Sequence, residues 1–170
     1  VQFVIDAWHG DAGAVDLDVE AETLHLSNSV KAATVPSHPG DVPMTLQAAD
    51  GLFRRKENDV DFTTNVVMTR RADRVSAEHV VGRFTQDRKT LAGMEGNGHV
   101  SMSFSSALTP GENLGGRKDI TCDRFYSDVA PDGQISALNA VGDTALAHAV
   151  LEGPPHRDIV AHTFRVAMAN

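Results

Sequence analysis

Apolar and polar residues alternate along much of this chain. Residues 15–22 alternate without exception between apolar and acidic, and residues 23–26 continue the pattern. Successive side chains of a β-strand point to opposite faces, so a period of two predicts a strand with one buried face and one solvated face. We therefore expect one strand through residues 15–26. The segment containing Val100, Met102 and Phe104, whose intervening residues are serines, predicts another.

A short phrase also recurs five times, consisting of an apolar residue and a small residue two positions later. The copies are Ile5 with Ala7, Leu46 with Ala48, Val75 with Ala77, Ile120 with Cys122, and Ile159 with Ala161. In all but the last copy, a polar or glycine corner and a strand-like run follow about twenty residues later, beginning at Asn28, Asn65, Gly98 and Gly142. Repetition at a fixed phase predicts a stacked β architecture, in which each unit buries its apolar face against its neighbours.

Three stretches rich in proline and glycine, 36–43, 105–116 and 153–156, interrupt the repeats at one phase. Insertions at one phase predict loops along one side of a stack, so we expect a single domain over residues 1–170. Turn residues at 57–59, 86–88 and 131–133 predict hairpin connections. Residues 144–151 suit either two helical turns or a strand, and their phase in the repeat favours the strand.

Composition and charge narrow the function classes. The chain has 170 residues, 41% of them hydrophobic and 22% charged, which is typical of a globular domain. Its net charge of −8 argues against a nucleic-acid partner, because binding to phosphates requires a basic surface. The first residue is Val, which suggests a processed or excised piece of a longer chain, while a signal or anchor segment upstream is not visible in these residues.

Basic residues concentrate in the middle of the chain. Residues 54–89 hold nine Lys or Arg against six acids. Solvated turns and strand edges are the simpler explanation for this excess. The alternative is a patch that receives an anionic ligand. The candidate contacts for such a ligand are Arg54, Arg55, Arg70, Arg71 and Arg74.

Residue patterns for metal binding or catalysis are weak. Asp16, Asp18, Glu20 and Glu22 offer oxygen ligands, but no glycine-bent loop makes them converge, so we expect a solvated acidic face and no metal. The eight histidines show no ligand spacing, and the single cysteine, Cys122, reads as a small buried residue. No nucleophile elbow, phosphate-binding loop or dinucleotide motif occurs, so we expect a protein that is not an enzyme and has no cofactor.

The repeat resembles the OstA-type repeat of the lipopolysaccharide-transport proteins LptA, LptC and the periplasmic domain of LptD. The resemblance rests on residues 73–78 with 91–100, and on residues 119–123 with 132–135 and 140–143. Residues 17–30 resemble the LptC-like version. The first two corners lack the glycine of the family pattern, and the three insertions are longer than a compact member would have. These departures leave open whether the chain is LptA-like, LptC-like or a fused relative.

The resemblance implies an all-β fold, an antiparallel β-jellyroll (β-taco) whose two halves enclose an apolar groove. It implies a periplasmic, non-catalytic module, for which a missing N-terminal segment could provide an anchor in the inner membrane. Lipopolysaccharide acyl chains would lie inside, and related domains or further copies would pair edge to edge with it. The expected groove-lining residues are Leu46, Phe62, Val66, Met68, Val75, Met94, Val100, Met102, Phe104, Ile120, Ile135 and Leu138. For each of them, ordinary core packing is the competing interpretation.

Three other functions compete with lipid transfer. A scaffold protein could polymerise through its ends without a ligand, and a tightly packed interior would favour it. A carbohydrate-active β-solenoid or jellyroll enzyme would need a cleft with converging carboxylates. A sugar-binding module would be expected to present a row of exposed aromatic residues, and this chain, with one Trp, one Tyr and seven Phe, has too few for such a row.

Overall fold

The structure is a computed structural model that describes residues 1–6, 8–36, 40, 42–105, 116–130, 135–152 and 156–167. Within these ranges every regular element is a β-strand, and all pairings are antiparallel. The strands are β1 (Gln2–Ile5), β2 (Trp8–Asp11), β3 (Ala14–Asp18), β4 (Thr23–Ser27), β5 (Val30–Thr34), β6 (Thr45–Ala48), β7 (Asp50–Arg54), β8 (Asp59–Arg70), β9 (Asp73–Phe84), β10 (Leu91–Ser105), β11 (Arg117–Val129), β12 (Ile135–Val141), β13 (Ala147–Leu151), β14 (Arg157–Ala161) and β15 (Thr163–Ala167). The predicted all-β, jellyroll-like fold is therefore confirmed.

The fifteen strands form one sheet with the order of a simple meander. Several short strands join end to end into longer paths: β2 with β3, β4 with β5, β6 with β7, β12 with β13, and β14 with β15. The strands β8 to β11 each span the full length of such a path, with up to 15 residues in β10. Each path pairs with its neighbours in the chain, which is the most local connection that an antiparallel sheet allows.

Pairing divides the sheet into two walls that share β8 to β11. Wall A consists of β1, β2, β5, β6, the halves of β8 to β11 at residues 66–70, 73–77, 100–105 and 117–122, then β13 and β14. Wall B consists of β3, β4, β7, the other halves at residues 59–63, 79–84, 91–97 and 124–129, then β12 and β15. Buried residues of both walls form one hydrophobic core.

A line of backbone irregularities, which we call the crease, separates the two walls. Register shifts occur between Thr63 and Val66 on β8 and between Asn97 and Val100 on β10. In each case two residues face one residue of the neighbouring strand, which is a β-bulge and bends the strand. Pairs of residues with positive φ stand at the corners: Asn28 and Ser29 (61° and 72°), Thr64 and Asn65 (66° and 55°), Gly98 and His99 (79° and 49°). Three predicted corners are confirmed here.

The fourth corner, residues 142–146, is held by one carboxylate. The backbone amides of Asp143, Thr144 and Ala145 donate to Asp123 Oδ2 at 2.7, 2.5 and 3.1 Å, and the Thr144 hydroxyl also donates to it. These hydrogen bonds, first among them the one from the Thr144 amide, lower the pKa of Asp123 to about 2. Residues 147–151 then continue as β13, so the predicted strand is confirmed for that part of 144–151.

The small residue of the repeated phrase lies directly before the crease. Ala48 pairs with Val30, Ala77 with Val66, and Cys122 with Val100. All six are buried, with 0–8% of their surface exposed. At each of these places a small residue therefore lies beside a buried valine next to the crease.

Two sequence predictions are wrong in detail. Residues 15–26 are not one strand, because β3 ends at Asp18 and a turn over residues 19–22 leads back into β4. Asp18 Oδ1 accepts the Ala21 amide at 2.8 Å, which fixes that turn. Leu17 and Val19 are consequently exposed, by 62% and 76%, on an edge strand and its turn.

The first repeat begins later than the phrase at residues 5–7 predicts. Ile5 ends β1, which runs away from the crease, whereas β2 runs toward it and is followed by buried Ala12 and by Gly13. Ala12 therefore takes the position of the small residue. Ala7 lies outside the described residues, as do most of the predicted loops at 36–43, 105–116 and 153–156 and the predicted turn at 131–133. The predicted turns at 57–59 and 86–88 are confirmed.

Candidate functional site

The interior between the two walls is the candidate ligand site, and it contains the predicted lining residues. Eleven of the twelve are buried with 0–7% of their surface exposed: Leu46, Phe62, Val66, Met68, Val75, Met94, Val100, Met102, Phe104, Ile120 and Leu138. Ile135 is half-buried and packs against the same core. The alternation that predicted their common face is therefore confirmed. Whether they line a groove for a ligand stays a prediction.

The strands shared by both walls carry most of these side chains. On β10, Val100, Met102 and Phe104 are buried, while Ser101, between the first two, is exposed. The same strand crosses the crease and buries Met94 in wall B. One continuous strand thus contributes apolar side chains to both walls, and so the interior is apolar from one wall to the other.

Aromatic side chains join the two walls near the N-terminal end of the sheet. The ring centroids of Phe3 in wall A and Phe53 in wall B are 6.3 Å apart, and those of Trp8 and Phe62 are 6.1 Å apart. Phe53 and Phe62 meet edge to face at 5.8 Å. Such contacts add about 0.5–1.5 kcal/mol each beyond the burial of their area, so they fasten this end of the fold.

Sequence reasoning missed several residues of this interior. Five further residues expose only 0–3% of their surface, and none of them was predicted to line the interior: Trp8, Leu26, Val30, Phe53 and Phe125. The sequence could have predicted Val30, because it comes directly after the corner at Asn28, just as Val66 and Val100 come directly after theirs. Trp8 and Phe53 belong to short strands whose facing partners only the tertiary structure supplies.

The described interior is filled by the chain's own side chains. Val66, Ile120 and Leu138 are 0% exposed, so water does not reach them. The arrangement therefore forms an apolar interior that excludes water. An acyl chain of a ligand can enter this interior only if the walls separate or side chains move aside. The methionines Met68, Met94 and Met102 are the most adaptable of these side chains.

The five predicted cationic contacts lie in two separate places. Arg54 and Arg55 stand at the turn before β8, and Arg70, Arg71 and Arg74 stand at the turn after it, beyond the opposite end of a twelve-residue strand. Arg54 Nε donates to Asp59 at 2.7 Å, and this hydrogen bond raises the pKa of Arg54. Arg70 Nε donates to the Val42 carbonyl at 3.2 Å. The structure therefore does not bring the five together.

Within the described residues, each outer strand of a wall has a paired strand on one side only. At one end of the sheet these are β1 and β3, whose partners are β2 and β4. At the other end they are β14 and β15, whose partners are β13 and β12. Backbone groups on an open edge can pair with a strand of another chain.

In the part of the chain that the structure describes, no group of three or more His, Cys, Asp or Glu residues is arranged to hold a metal ion. Among the same residues, no helix is long and apolar enough to cross a membrane. Burial raises the pKa of the Cys122 thiol to about 11, which makes it a poor nucleophile near neutral pH.

No protein-family model and no curated protein matches this chain. The likeness of its repeat to the OstA-type repeat therefore stays a resemblance.

Proposed function

We propose that this chain is a non-catalytic, periplasmic module that binds lipopolysaccharide by its acyl chains and passes it along a bridge between membranes. The observation that carries the proposal is the apolar interior, continuous across both walls of a folded meander whose outer strands, within the described residues, each pair on one side only. The identity of the lipid and the compartment rest on the resemblance of the repeat. As an LptC-like module it would be anchored to the inner membrane.

The physical advantage of such an interior is large. Apolar surface exposed to water costs about 25 cal/mol per Å². An acyl chain that moves between two apolar walls avoids this cost along its whole path. Edge-to-edge pairing with related domains or with further copies would extend the path without a gap in the sheet.

Transfer requires the interior to open. Lining residues such as Ile120 and Leu138 are fully buried, so a chain can enter only as protein contacts are exchanged for lipid contacts. This exchange is close to neutral in apolar area, because one apolar partner replaces another. The bulges of the crease are the natural place for the walls to turn relative to each other.

Photo-methionine provides a direct test, because it replaces methionine with little change in size. The protein with photo-methionine is irradiated with lipopolysaccharide, and adducts are mapped by mass spectrometry. We expect adducts at Met68, Met94 and Met102. The control is the triple variant Met68→Leu, Met94→Leu, Met102→Leu, which keeps the interior apolar and should lose these adducts.

Absence of adducts at all three positions in a folded protein would contradict the proposal. If phosphatidylethanolamine vesicles gave equal labelling, the protein would still be a lipid carrier, but it would not be selective for lipopolysaccharide.

A second candidate is a structural β-repeat protein that assembles through its ends and carries no lipid. The specific observation in its favour is the filled interior, with 0–7% exposure at the eleven buried lining residues. Assembly in solution without any lipid adduct is the result that would select this candidate.

A further inference from the structure

The outer face of wall B carries a pocket that the interior site does not use. It has a volume of about 170 Å³. The residues that line it come from three neighbouring strands, β9, β10 and β11: His79, Val81, Glu95, Gly96, Asn97, Arg124 and Tyr126. In register, Asn97 stands between His79 on one side and Arg124 on the other. Polar side chains from three strands therefore meet around β10.

Hydrogen bonds hold both sides of the pocket in place. His79 Nε2 lies 2.5 Å from Asp61 Oδ1, and its Nδ1 lies 3.3 Å from the Asn97 amide nitrogen. On the other side, Arg124 pairs through two nitrogens with Asp143, one of them at 2.8 Å. Arg124 Nη1 also donates to the Tyr126 hydroxyl at 2.9 Å. Side chains fixed before binding lose less conformational freedom when a ligand arrives.

The charges around the pocket are matched within the protein. Arg124 pairs with Asp143, and Arg83 Nη2 donates to Glu95 Oε2 at 2.9 Å. An anion that approached Arg124 would compete with a two-point ion pair, and a cation at Glu95 would compete with Arg83. The pocket therefore favours a neutral ligand over a charged one.

The hydrogen-bonding groups are of both kinds. The Asn97 amide and the Tyr126 hydroxyl can each donate and accept, Arg124 only donates, and the Glu95 carboxylate only accepts. A ligand rich in hydroxyl groups satisfies such a mixed set, because each hydroxyl also donates and accepts. Tyr126, which is 39% exposed, adds an apolar ring on one side.

We propose that this pocket binds one neutral, hydroxyl-rich ring of the size of a single sugar unit. Its volume of about 170 Å³ leaves room for a ligand of one ring, well beyond a single water molecule. The sequence argued against a row of aromatic platforms, and a single ring needs only one. The pocket faces away from the interior, so this inference does not depend on lipid transfer.

The test is titration of the ¹⁵N-labelled chain, residues 1–170, with the methyl glycosides of glucose, galactose, mannose and N-acetylglucosamine. We expect saturable shifts of the amide signals of residues 95–97 and 124–126 with at least one glycoside. A dissociation constant on the order of 1 mM is the range for a small ligand held by a few hydrogen bonds. Asn97→Ala and Tyr126→Phe should each weaken binding by about 2- to 10-fold.

The matched control is His148→Ala. It removes a His–Asp pair on wall A, away from the pocket, in which His148 Nε2 lies 2.6 Å from Asp158 Oδ1, and it should leave glycoside binding unchanged. The amide spectrum of each variant reports whether it is folded. Tyr126→Phe keeps the ring and so tests the hydroxyl alone.

Three results would overturn the proposal. The first is the absence of shifts with all four glycosides, and the second is unchanged binding by both Asn97→Ala and Tyr126→Phe. The third is a stronger response of the same signals to inorganic phosphate, which would make the pocket an anion site.

Discussion

Replacing Leu138 by alanine distinguishes a packed interior from an open groove. Leu138 lies on β12, pairs with Ser127 and Val166, and is 0% exposed. The substitution removes three carbon atoms, whose transfer from water contributes about 2.4 kcal/mol at about 0.8 kcal/mol per carbon. The cavity left in a packed core raises the total loss of stability to about 3–5 kcal/mol.

Urea unfolding, followed by circular dichroism, measures this loss. With a dependence of unfolding free energy on urea of about 2 kcal/mol per M, a loss of 3 kcal/mol moves the midpoint by about 1.5 M. The slope should stay unchanged, because neither state becomes more or less compact. Leu17→Ala is the matched control. It makes the same chemical change at a residue that is 62% exposed, and should alter stability by less than about 0.5 kcal/mol.

A loss below about 1 kcal/mol for Leu138→Ala, close to that of Leu17→Ala, would refute the reasoning. It would mean that the space next to Leu138 already admits solvent or collapses at no cost, as an open groove would. A loss in the expected range shows that lipid entry must displace protein contacts, which sets the energetic condition for the proposed transfer.

Further predictions concern the crease, the cysteine and the sheet edges. Asp123→Asn should lower the melting temperature at pH 7. The pKa of Asp123 is lowered to about 2 in the folded state, so its ionised carboxylate stabilises the fold at any pH above its unfolded-state pKa of about 4. This stabilisation is lost as the pH falls from about 4 to about 2, so the melting temperatures of wild type and variant should converge over that range in thermal scans. A variant effect that stays constant down to pH 2 would contradict this assignment. Gly98→Ala should lower the free energy of unfolding in urea by about 1–3 kcal/mol, because φ at this residue is +79° and the new Cβ would lie 2.7 Å from Glu78 Cβ. Ser101→Ala on the same strand should have little effect. Alkylation of Cys122 by iodoacetamide at pH 8 should be much slower in the folded protein than in urea, since burial raises its pKa to about 11, and equal rates would show that the thiol is accessible. If open edges drive self-association, the apparent mass from light scattering should grow with protein concentration. Val160→Pro on β14 should suppress this growth more than Val160→Ala, because proline cannot donate a backbone hydrogen bond. A strictly monomeric wild type would show that the ends are capped.

Local chemistry in the sequence determined the class of the fold and most of the apolar face. A period of two in the β10 segment was sufficient to place Met102 and Phe104 inside, because a strand offers each side chain only two directions. The corners at Asn28, Asn65 and Gly98 were also readable, because polar residues and glycine tolerate the positive φ that each bulge requires.

Only the tertiary structure decided what these strands enclose and which polar groups meet. Leu17 follows the same alternation as Met102 in the sequence, yet it lies on the outer strand β3 and is 62% exposed. Alternation fixes the face of a strand but not what lies against that face. The pairing of His79, Asn97 and Arg124 was likewise invisible, because their contact depends on the register between the strands β9, β10 and β11. Burial and cross-strand register are properties of the assembled sheet, whereas alternation and corner chemistry belong to the chain itself.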